Sequence, residues 1–278
     1  MSPLLDTIAA GISPVAYEMP LEEKDGLLRA LNDRFSQPVY FWSLATRQWQ
    51  QLVESDLVAI GEFSPLGWDR PAVEHFEAAF AWMRGQSGIF VLDSVLSFLN
   101  GNTVARSYLE STLLDRAFKQ QPVILIGAEV MLTPALHSSV PLLVQPLPDS
   151  EAIATLVGDR PQIVNAARGL YRSEIEMAIA LASQNPEFDW LDFKAQRLHQ
   201  RCDVEFVPRP TAEYRGAYRM QETFAGFGKL LEVGLPLPHG AAIGGPPGTG
   251  KSYFVRRAAE LMGVVLLALD WGAPLVTS

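Results

Sequence analysis

The residues best suited to chemistry lie in one glycine-rich segment. Residues 245–252 are GPPGTGKS and match the phosphate-binding pattern G-x-x-x-x-G-K-[ST]. The glycines at 245, 248 and 250 let the backbone turn its N–H groups inward as a nest for an anion, because a Cβ atom would crowd that turn. A chance match somewhere in a chain of this length has a probability of about 1%. The segment therefore predicts a site for the phosphates of a nucleotide.

Two side chains at the end of this segment have specific tasks. Lys251 is expected to reach the β- and γ-phosphates as a point charge, and the Ser252 hydroxyl is expected to bind Mg²⁺. ATP and Mg²⁺ are the expected cofactors, and a glycine-rich turn that binds no ligand is the alternative. The predicted nucleotide-binding residues are Gly245, Pro246, Pro247, Gly248, Thr249, Gly250, Lys251, Ser252 and Tyr253.

The segments around the loop have the order that a phosphate-binding loop requires. Residues 239–243 predict a short apolar strand leading in, and residues 253–262 predict a helix leading out, with Gly263 at its C-terminal stop. A further strand is predicted at residues 264–269. The helix would carry an apolar inner side made of Phe254, Val255, Ala258, Leu261 and Met262.

Upstream, short apolar segments alternate with amphipathic ones. The short segments are rich in β-branched or aromatic residues and predict strands at residues 14–19, 38–43, 88–95, 122–128 and 142–147. A helix is predicted at 21–32, where Glu22 and Glu23 in the first turn suit the positive end of the helix dipole. This alternation predicts an α/β domain over residues 1–147, with a mostly parallel sheet covered on both faces.

Beyond this α/β region the pattern becomes helical. Residues 148–206 predict a small helical lid, in which S-x-x-E at 173–176 is interpreted as a capping box. Composition rich in Pro, Arg, Glu and Gly predicts a linker over residues 207–223. A new α/β module is predicted to follow it, over residues 224–278. The apolar stripe of the lid helix is Ile175, Ala178, Ile179 and Ala182.

The composition argues against several classes of function. The 278 residues carry a net charge of −9, so the clustered cations that bind a nucleic-acid backbone are not expected. Cys202 is the only cysteine, and the histidines show no zinc-ligand spacing. The N-terminal residues do not resemble a secretory or transit signal, and no apolar run is long enough for a transmembrane helix. We therefore expect a cytoplasmic compartment and neither a nucleic-acid nor a membrane partner.

Several segments together resemble the AAA ATPases of cyanobacteria and algal chloroplast genomes known as hypothetical chloroplast reading-frame proteins. GPPGTGKS is similar to the loop of AAA ATPases in general, and FAGFGKL at 224–230 is similar to the segment that opens the family's ATPase module. The resemblance covers nearly the whole chain. Its other segments are PVYFWSL at 38–44, GIFVLDSVLSFL at 88–99, PVILIG at 122–127, QPLPDSEAI at 145–153 and GLYRSEIEMAIALA at 169–182.

The resemblance implies that the first domain is a degenerate AAA domain, with a P-loop-like parallel sheet and a helical lid. Its phosphate-loop position, residues 19–24, is MPLEEK, which has no glycine and two carboxylates that would repel phosphate. Asp93 stands where the family binds Mg²⁺, but Ser94 replaces the glutamate that activates water. We favour the alternative that Asp93 is a helix cap or a hydrogen-bonded carboxylate at a strand end. No arginine occupies residues 136–139, the position of an arginine finger.

The second domain resembles the start of an active ATPase module. The sequence given ends at Ser278, whereas the family's aspartate–glutamate strand, sensor residues and arginine finger would follow the strand at 264–269. Residues 240–278 are therefore expected to be the first part of a C-terminally truncated domain, and no catalytic residue is assigned. Asp270 is followed by Trp271 and Gly272 and is interpreted as a turn carboxylate.

The resemblance implies an ATP-binding hydrolase of the AAA type, acting as a remodelling or regulatory ATPase in the cytoplasm or the plastid stroma. A homo-oligomer or a protein partner is expected, with the hydrolytic residues outside this chain. One alternative is a non-enzymatic interaction or regulatory protein with a vestigial loop. A P-loop kinase shares the loop, but GPPGTGKS and the preceding helical lid favour the AAA type.

Overall fold

The computed structural model describes most of the chain. The described residues are 3–61, 67, 69–96, 103–115, 121–158, 160–201, 205–207, 210, 214–233, 235, 237–238 and 240–268. They form two compact units, Met1–Pro146 and Leu147–Ser278, each of which is considered by itself. Part of the predicted strand at 239–243, part of the predicted linker, and residues 269–278 with Asp270 lie outside the described residues.

The first unit confirms the prediction of an α/β domain with a mostly parallel sheet. All five predicted strands are present, as shorter segments within the predicted ranges. The strands are β1 (Val15–Glu18), β2 (Val39–Ser43), β3 (Trp49–Val53), β4 (Asp56–Ala59), β5 (Ile89–Asp93), β6 (Val123–Gly127) and β7 (Leu142–Val144). They form one seven-stranded sheet in the order β4-β3-β2-β5-β6-β1-β7.

The strand order separates a parallel sheet from an antiparallel edge. Strands β2, β5, β6, β1 and β7 pair in parallel, for example with Val15 opposite Ile124 and Phe41 opposite Val91. Strand β1 therefore lies inside the sheet, between β6 and β7. This arrangement is consistent with a P-loop-like α/β fold.

The antiparallel edge was not predicted from the sequence. Strand β3 pairs with β2 and with β4, and Glu54 takes a left-handed φ of 56° in the turn between β3 and β4. Strand β4 has no fully buried residue, and β3 is only partly buried. Gln50 and Gln51 interrupt the apolar residues of β3, and β4 is only four residues long and begins with Asp56, so neither strand has the continuous apolar run that identified the buried strands.

Helices cover both faces of the sheet. They are α1 (Pro3–Ala9), α2 (Lys24–Arg34), α3 (Ala72–Arg84), α4 (Thr103–Leu114) and the short α5 (Pro134–His137). Strand β5 shows the two faces, because Phe90 and Leu92 belong to one core cluster and Ile89 and Val91 to the other. The predicted helix at 21–32 is a single 3₁₀ turn, Leu21–Glu23, followed by α2.

The second unit begins with four helices, as the sequence predicts for this region. They are α6 (Ser150–Val157), α7 (Pro161–Ala167), α8 (Arg172–Gln184) and α9 (Trp190–Arg201). Their shared core contains Ile153, Leu170, Ile175 and Ala178, all fully buried, and Ile179 packs at its edge. The predicted apolar stripe of α8 is therefore confirmed for Ile175, Ala178 and Ile179.

The predicted capping box at 173–176 is wrong in register. Helix α8 begins at Arg172, and the Glu174 carboxylate accepts a hydrogen bond of 2.8 Å from the Tyr171 N–H. Glu176 instead pairs with Arg172 one turn earlier, at 2.8 Å. The N-cap is Tyr171, two residues before the predicted serine cap, because Glu174, rather than Glu176, reaches back to a free backbone N–H.

The remaining elements of the second unit are two helices and a short strand pair. Helix α10 is Tyr218–Glu232, so Phe224 lies within a helix rather than at the start of a module. Helix α11 is Lys251–Met262. Strands β8 (Glu205–Phe206) and β9 (Leu267–Ala268) pair antiparallel, so residues 267–268 of the predicted strand at 264–269 are in a strand and residues 264–266 are not.

Candidate phosphate-binding loop

The predicted loop leads directly into the N-terminus of α11. The helix begins at Lys251, two residues before the predicted start, and Gly250 precedes it with a left-handed φ of 78°. Gly263 ends the helix with a φ of 66°, which confirms the predicted stop. A helix N-terminus offers unpaired backbone N–H groups and positive potential, so Lys251 and Ser252 lie where an anion would be attracted.

The described residues of the predicted strand before the loop, 240–243, do not form a strand. Residues 240–243 have no strand hydrogen bonds, and residues 240–242 are exposed. None of the described strands pairs with this segment. A single extended segment cannot satisfy its own backbone groups, which is why an apolar sequence alone does not produce a strand here.

The loop is closed by its own side chains. The Lys251 ammonium donates hydrogen bonds to the carbonyl oxygens of Gly245 at 2.9 Å and Pro246 at 2.6 Å. The Thr249 hydroxyl donates to the same Pro246 carbonyl at 2.8 Å. Gly248 and Gly250 have positive φ values of 79° and 78°, which other residues rarely adopt. The lysine therefore folds back over a turn whose shape depends on glycine.

The loop remains accessible. Gly245 to Gly250 are exposed, as is Ser252, and Lys251 and Tyr253 are half-buried. None of the described carboxylates forms a hydrogen bond or ion pair with residues 245–252. An anion approaching the loop would thus meet an ammonium group, a hydroxyl and backbone N–H groups without an opposing carboxylate. This donor set fits phosphate, and the Ser252 hydroxyl fits the hard oxygen ligand that Mg²⁺ requires.

A pair of tyrosines lies beside the loop. The rings of Tyr214 and Tyr253 are stacked, with centroids 5.8 Å apart and planes inclined by 22°. A Cβ added to Gly250 would lie 3.9 Å from the Tyr214 ring. Tyr253 belongs to the predicted site, but Tyr214 lies in the predicted linker and was missed. Its only sequence signal is an isolated aromatic residue in a polar segment, which does not indicate where that segment packs.

Helix α11 is held by α10 through aromatic and backbone contacts. Phe254 is only 2% exposed and packs edge-on against Tyr214 and Phe224, at centroid distances of 5.6 and 5.7 Å. The two helices approach so closely at Gly228 that a Cβ there would lie 2.7 Å from the Leu261 carbonyl oxygen. Glycine at this position therefore permits the crossing that positions the loop helix.

A polar bridge connects the segment that carries Tyr214 to both helices. The Gln221 amide of α10 donates to the Gly216 carbonyl at 2.7 Å and to the Tyr214 carbonyl at 3.5 Å. Arg257 of α11 donates to the Gln221 side-chain oxygen at 3.4 Å. The Arg257 guanidinium also pairs with Glu260 at 2.7 Å. This bridge restrains Tyr214 beside the loop.

The first unit has different chemistry at the position where the resemblance places a phosphate loop. The turn after β1 is the 3₁₀ helix Leu21–Glu23, and the Glu23 carboxylate accepts a hydrogen bond from the Gln145 amide. Glu18, at the end of β1, accepts from the Val130 N–H at 3.2 Å. Glu18 and Glu23 thus have partners within the unit, and residues 19–24 contain no glycine.

The other two positions that the resemblance singles out in this unit are also structural. The Ser94 hydroxyl donates to the Asp93 carboxylate at 2.7 Å, so Asp93 is a hydrogen-bonded carboxylate at the end of β5, as the favoured alternative predicts. Leu136, at the arginine-finger position, is fully buried in α5. Neither position offers an arginine.

The described residues show neither a metal-binding cluster nor a membrane-spanning helix. Among these residues, no group of three or more His, Cys, Asp or Glu side chains could hold a metal ion. None of the described helices is both long enough and apolar enough to cross a membrane.

Comparison with known proteins identifies no family. No family model matches the chain, and no curated protein sequence matches it. The resemblance to AAA proteins consequently stays a prediction from the sequence segments quoted above. The proposal for its function therefore rests on the geometry of the loop at 245–252 and of the residues around it.

Proposed function

We propose that this chain is an ATP-binding P-loop protein of the AAA type. The observation that carries the proposal is the junction at Gly250 and Lys251, where a glycine in the left-handed conformation turns the chain into the N-terminus of α11. The first helical residue is a lysine whose ammonium lies over the preceding loop. A phosphate group replacing the two carbonyl acceptors would gain a charge-assisted hydrogen bond from the same ammonium.

Each part of the loop has a proposed role in holding ATP. The backbone N–H groups of residues 248–252 and the Lys251 ammonium bind the phosphates, and the Ser252 hydroxyl binds Mg²⁺. Mg²⁺ would neutralise the charge of the β- and γ-phosphates. Tyr214 and Tyr253 form an aromatic wall beside the loop, against which the base can pack.

The proposed wider role is ATP-dependent remodelling or regulation. In P-loop enzymes, hydrolysis needs an acidic Mg²⁺ ligand, a residue that positions water and an arginine at the transferred phosphate. No described carboxylate contacts residues 245–252. We therefore propose that a neighbouring copy or another polypeptide segment supplies these groups, so that turnover depends on assembly.

A direct binding experiment tests the proposal. Calorimetric titration of the full chain with ATP in the presence of Mg²⁺ should give saturable binding, and ADP should also bind because the loop contacts phosphates other than the last. Adenosine, which has no phosphate, should bind much more weakly. Equal affinity for adenosine and ATP, or no binding of ATP, would refute the proposed function.

A non-enzymatic interaction protein is the second candidate. The hydrogen bonds from Lys251 to Gly245 and Pro246 favour it, because the ammonium is satisfied without a ligand. In that case the loop would bind neither ATP nor ADP, while an assembly partner would bind equally well with and without nucleotide. The same titration therefore distinguishes the two candidates.

A further inference from the structure

Lys194 lies in a position that is unusual for a lysine side chain. It belongs to α9, and its end lies against the turn at Gly169, where an added Cβ would be 3.8 Å from Cε and 4.0 Å from Nζ. The residue is only partly exposed. Among the residues that the structure describes, the Lys194 ammonium has neither a hydrogen-bond acceptor nor a carboxylate partner. Its three N–H donors are therefore available.

Two arginines converge on the same turn. Arg201 donates to the Gly169 carbonyl at 2.7 Å, and its guanidinium lies 4.7 Å above the Tyr171 ring. Arg168, next to Gly169, donates to the Ser150 hydroxyl through two of its nitrogens, at 3.1 and 2.8 Å. These contacts fix the Arg201 guanidinium at the turn that Lys194 approaches and the Arg168 guanidinium at Ser150, while leaving other N–H donors of each arginine unused.

The charge of this cluster is not balanced from within the unit. Glu174 is the one carboxylate among the described residues that forms an ion pair with it, at 3.5 Å from Arg201, and it also accepts from the Tyr171 N–H. Burial, followed by the positive charges of Arg168 and Arg201, lowers the pKa of Lys194, and no carboxylate counteracts this shift. Three cations with one carboxylate leave a local excess of positive charge on a chain of net charge −9. Such a cluster is costly unless an anion occupies it.

We propose that Lys194, Arg168 and Arg201 form a binding site for a phosphate-sized oxyanion, separate from the loop at 245–252. The two guanidinium groups match the planar pairs of oxygens of such an anion, and the lysine supplies a mobile point charge. The class of ligand is inorganic phosphate or the phosphate group of a small phosphomonoester. Binding would stabilise α9 and the turn between α7 and α8, which contribute these residues.

The test uses the full chain with Lys251→Ala, which removes the main phosphate contact of the loop. At constant ionic strength maintained with sodium chloride, inorganic phosphate at a concentration well above its Kd should raise the Tm by about 3 °C. Adding Lys194→Gln should abolish this rise. Without phosphate, the same substitution should raise the Tm, because it removes a partly buried cation from beside two others.

Two further variants separate binding from general effects on folding. Lys194→Arg keeps the charge and should retain the phosphate-dependent rise. Arg172→Gln removes an exposed arginine paired with Glu176 in the same group of helices, and it should leave the rise unchanged. An unchanged phosphate effect in Lys194→Gln would overturn the proposal, as would the absence of any phosphate effect in the Lys251→Ala chain.

The source of the phosphate group is tested by comparing inorganic phosphate with O-phosphoserine in the same assay. A larger Tm rise with O-phosphoserine would assign the site to phosphomonoesters, and a larger rise with inorganic phosphate would assign it to the free anion. Either result requires that Lys194→Gln abolish the effect. Serine, which lacks the phosphate group, should have no effect in any variant.

Discussion

The turn after β1 and the loop before α11 lie at the two positions where the resemblance to AAA proteins implies a phosphate loop, and they differ in glycine content, local charge and backbone conformation. Residues 19–23 contain no glycine, and the Glu23 carboxylate is bound to Gln145. Residues 245–252 contain glycines with positive φ, a lysine over the loop and an exposed serine. Both turns precede a helix, so the proposed difference in phosphate binding depends on the sign of the local charge and on the freedom of the backbone.

The two turns also differ in how their helices are supported. Helix α2 buries Leu28 and Leu31 completely in the cluster on one face of the sheet. Helix α11 is supported mainly by α10, through Phe254 and the close approach at Gly228. The candidate site therefore depends on a helix pair, whereas the turn without a site is fixed by a large sheet. Five measurements can sharpen or overturn this contrast.

The largest effect is expected from Lys251→Ala. Because the substitution removes the cation over the loop, we expect ATP affinity to fall at least about 100-fold, equivalent to about 2.7 kcal/mol. Calorimetric titration measures the affinity, and thermal unfolding shows whether the fold is retained. Lys229→Ala, an exposed lysine on α10, is the matched control and should bind ATP like the parent chain. Unchanged ATP affinity in Lys251→Ala would show that the loop before α11 does not bind ATP through this lysine, and the proposed difference from the turn after β1 would be wrong.

The second prediction concerns the close packing of α10 against α11. Gly228→Ala places a Cβ against the Leu261 carbonyl at 2.7 Å, so α11 must shift, and we expect a loss of about 2 kcal/mol in the free energy of unfolding. Gly226→Ala is the control in the same helix, because its added Cβ meets nothing within 4 Å. That substitution should stabilise the helix by up to about 1 kcal/mol. Chemical denaturation measures both, and equal effects of the two substitutions would contradict the close crossing.

The third effect concerns the tyrosine pair. Tyr214→Leu keeps an apolar contact with Phe254 but removes the stacked ring, and we expect ATP affinity to fall about fivefold, or about 1 kcal/mol. Tyr218→Leu is the control, since Tyr218 is 70% exposed. The loss should be smaller for inorganic triphosphate, which has no base. A similar loss for both ligands would show that Tyr214 acts by shaping the loop instead.

The sequence was informative where a local pattern determines the structure. The five parallel strands were predicted because continuous β-branched and aromatic runs such as Ile89–Asp93 have few alternatives to burial in a sheet. The glycines at 250 and 263 were predicted correctly because a left-handed conformation strongly favours glycine. These features depend on the residue itself and its immediate neighbours.

The sequence was uninformative where the structure of a segment depends on residues that are distant in the chain. Residues 240–243 have strand-like composition but no pairing strand among the described residues, and β3 has polar residues but gains two partners. Tyr214 was missed because its proximity to the loop depends on the Gln221 bridge and on the packing of Phe254. No spacing rule connects these residues.

The fourth measurement should show that ATP protects backbone amides at the loop before α11 and not at the turn after β1. In hydrogen exchange of the full chain, saturating ATP and Mg²⁺ should increase the protection of the amides of residues 248–254, because bound phosphates restrain the N-terminus of α11. The amides of residues 18–24 should be unchanged, because carboxylates surround that turn. Protection of residues 18–24 by ATP would show that the first unit is not a degenerate site.

The fifth measurement concerns turnover, for which the expected effect is none. The loop can bind and orient phosphates, but hydrolysis by P-loop enzymes also requires an acidic Mg²⁺ ligand, a group that positions water and an arginine worth about a thousandfold or more. No described carboxylate contacts the loop, and Asp93 is bound by Ser94 in the other unit. We therefore expect the rate of phosphate release from the purified chain to equal that of Lys251→Ala. Steady release that is lost in Lys251→Ala would show that the chain, or an oligomer of it, does contain the missing groups; dilution would then distinguish these cases, because only an oligomer loses specific activity as it dissociates.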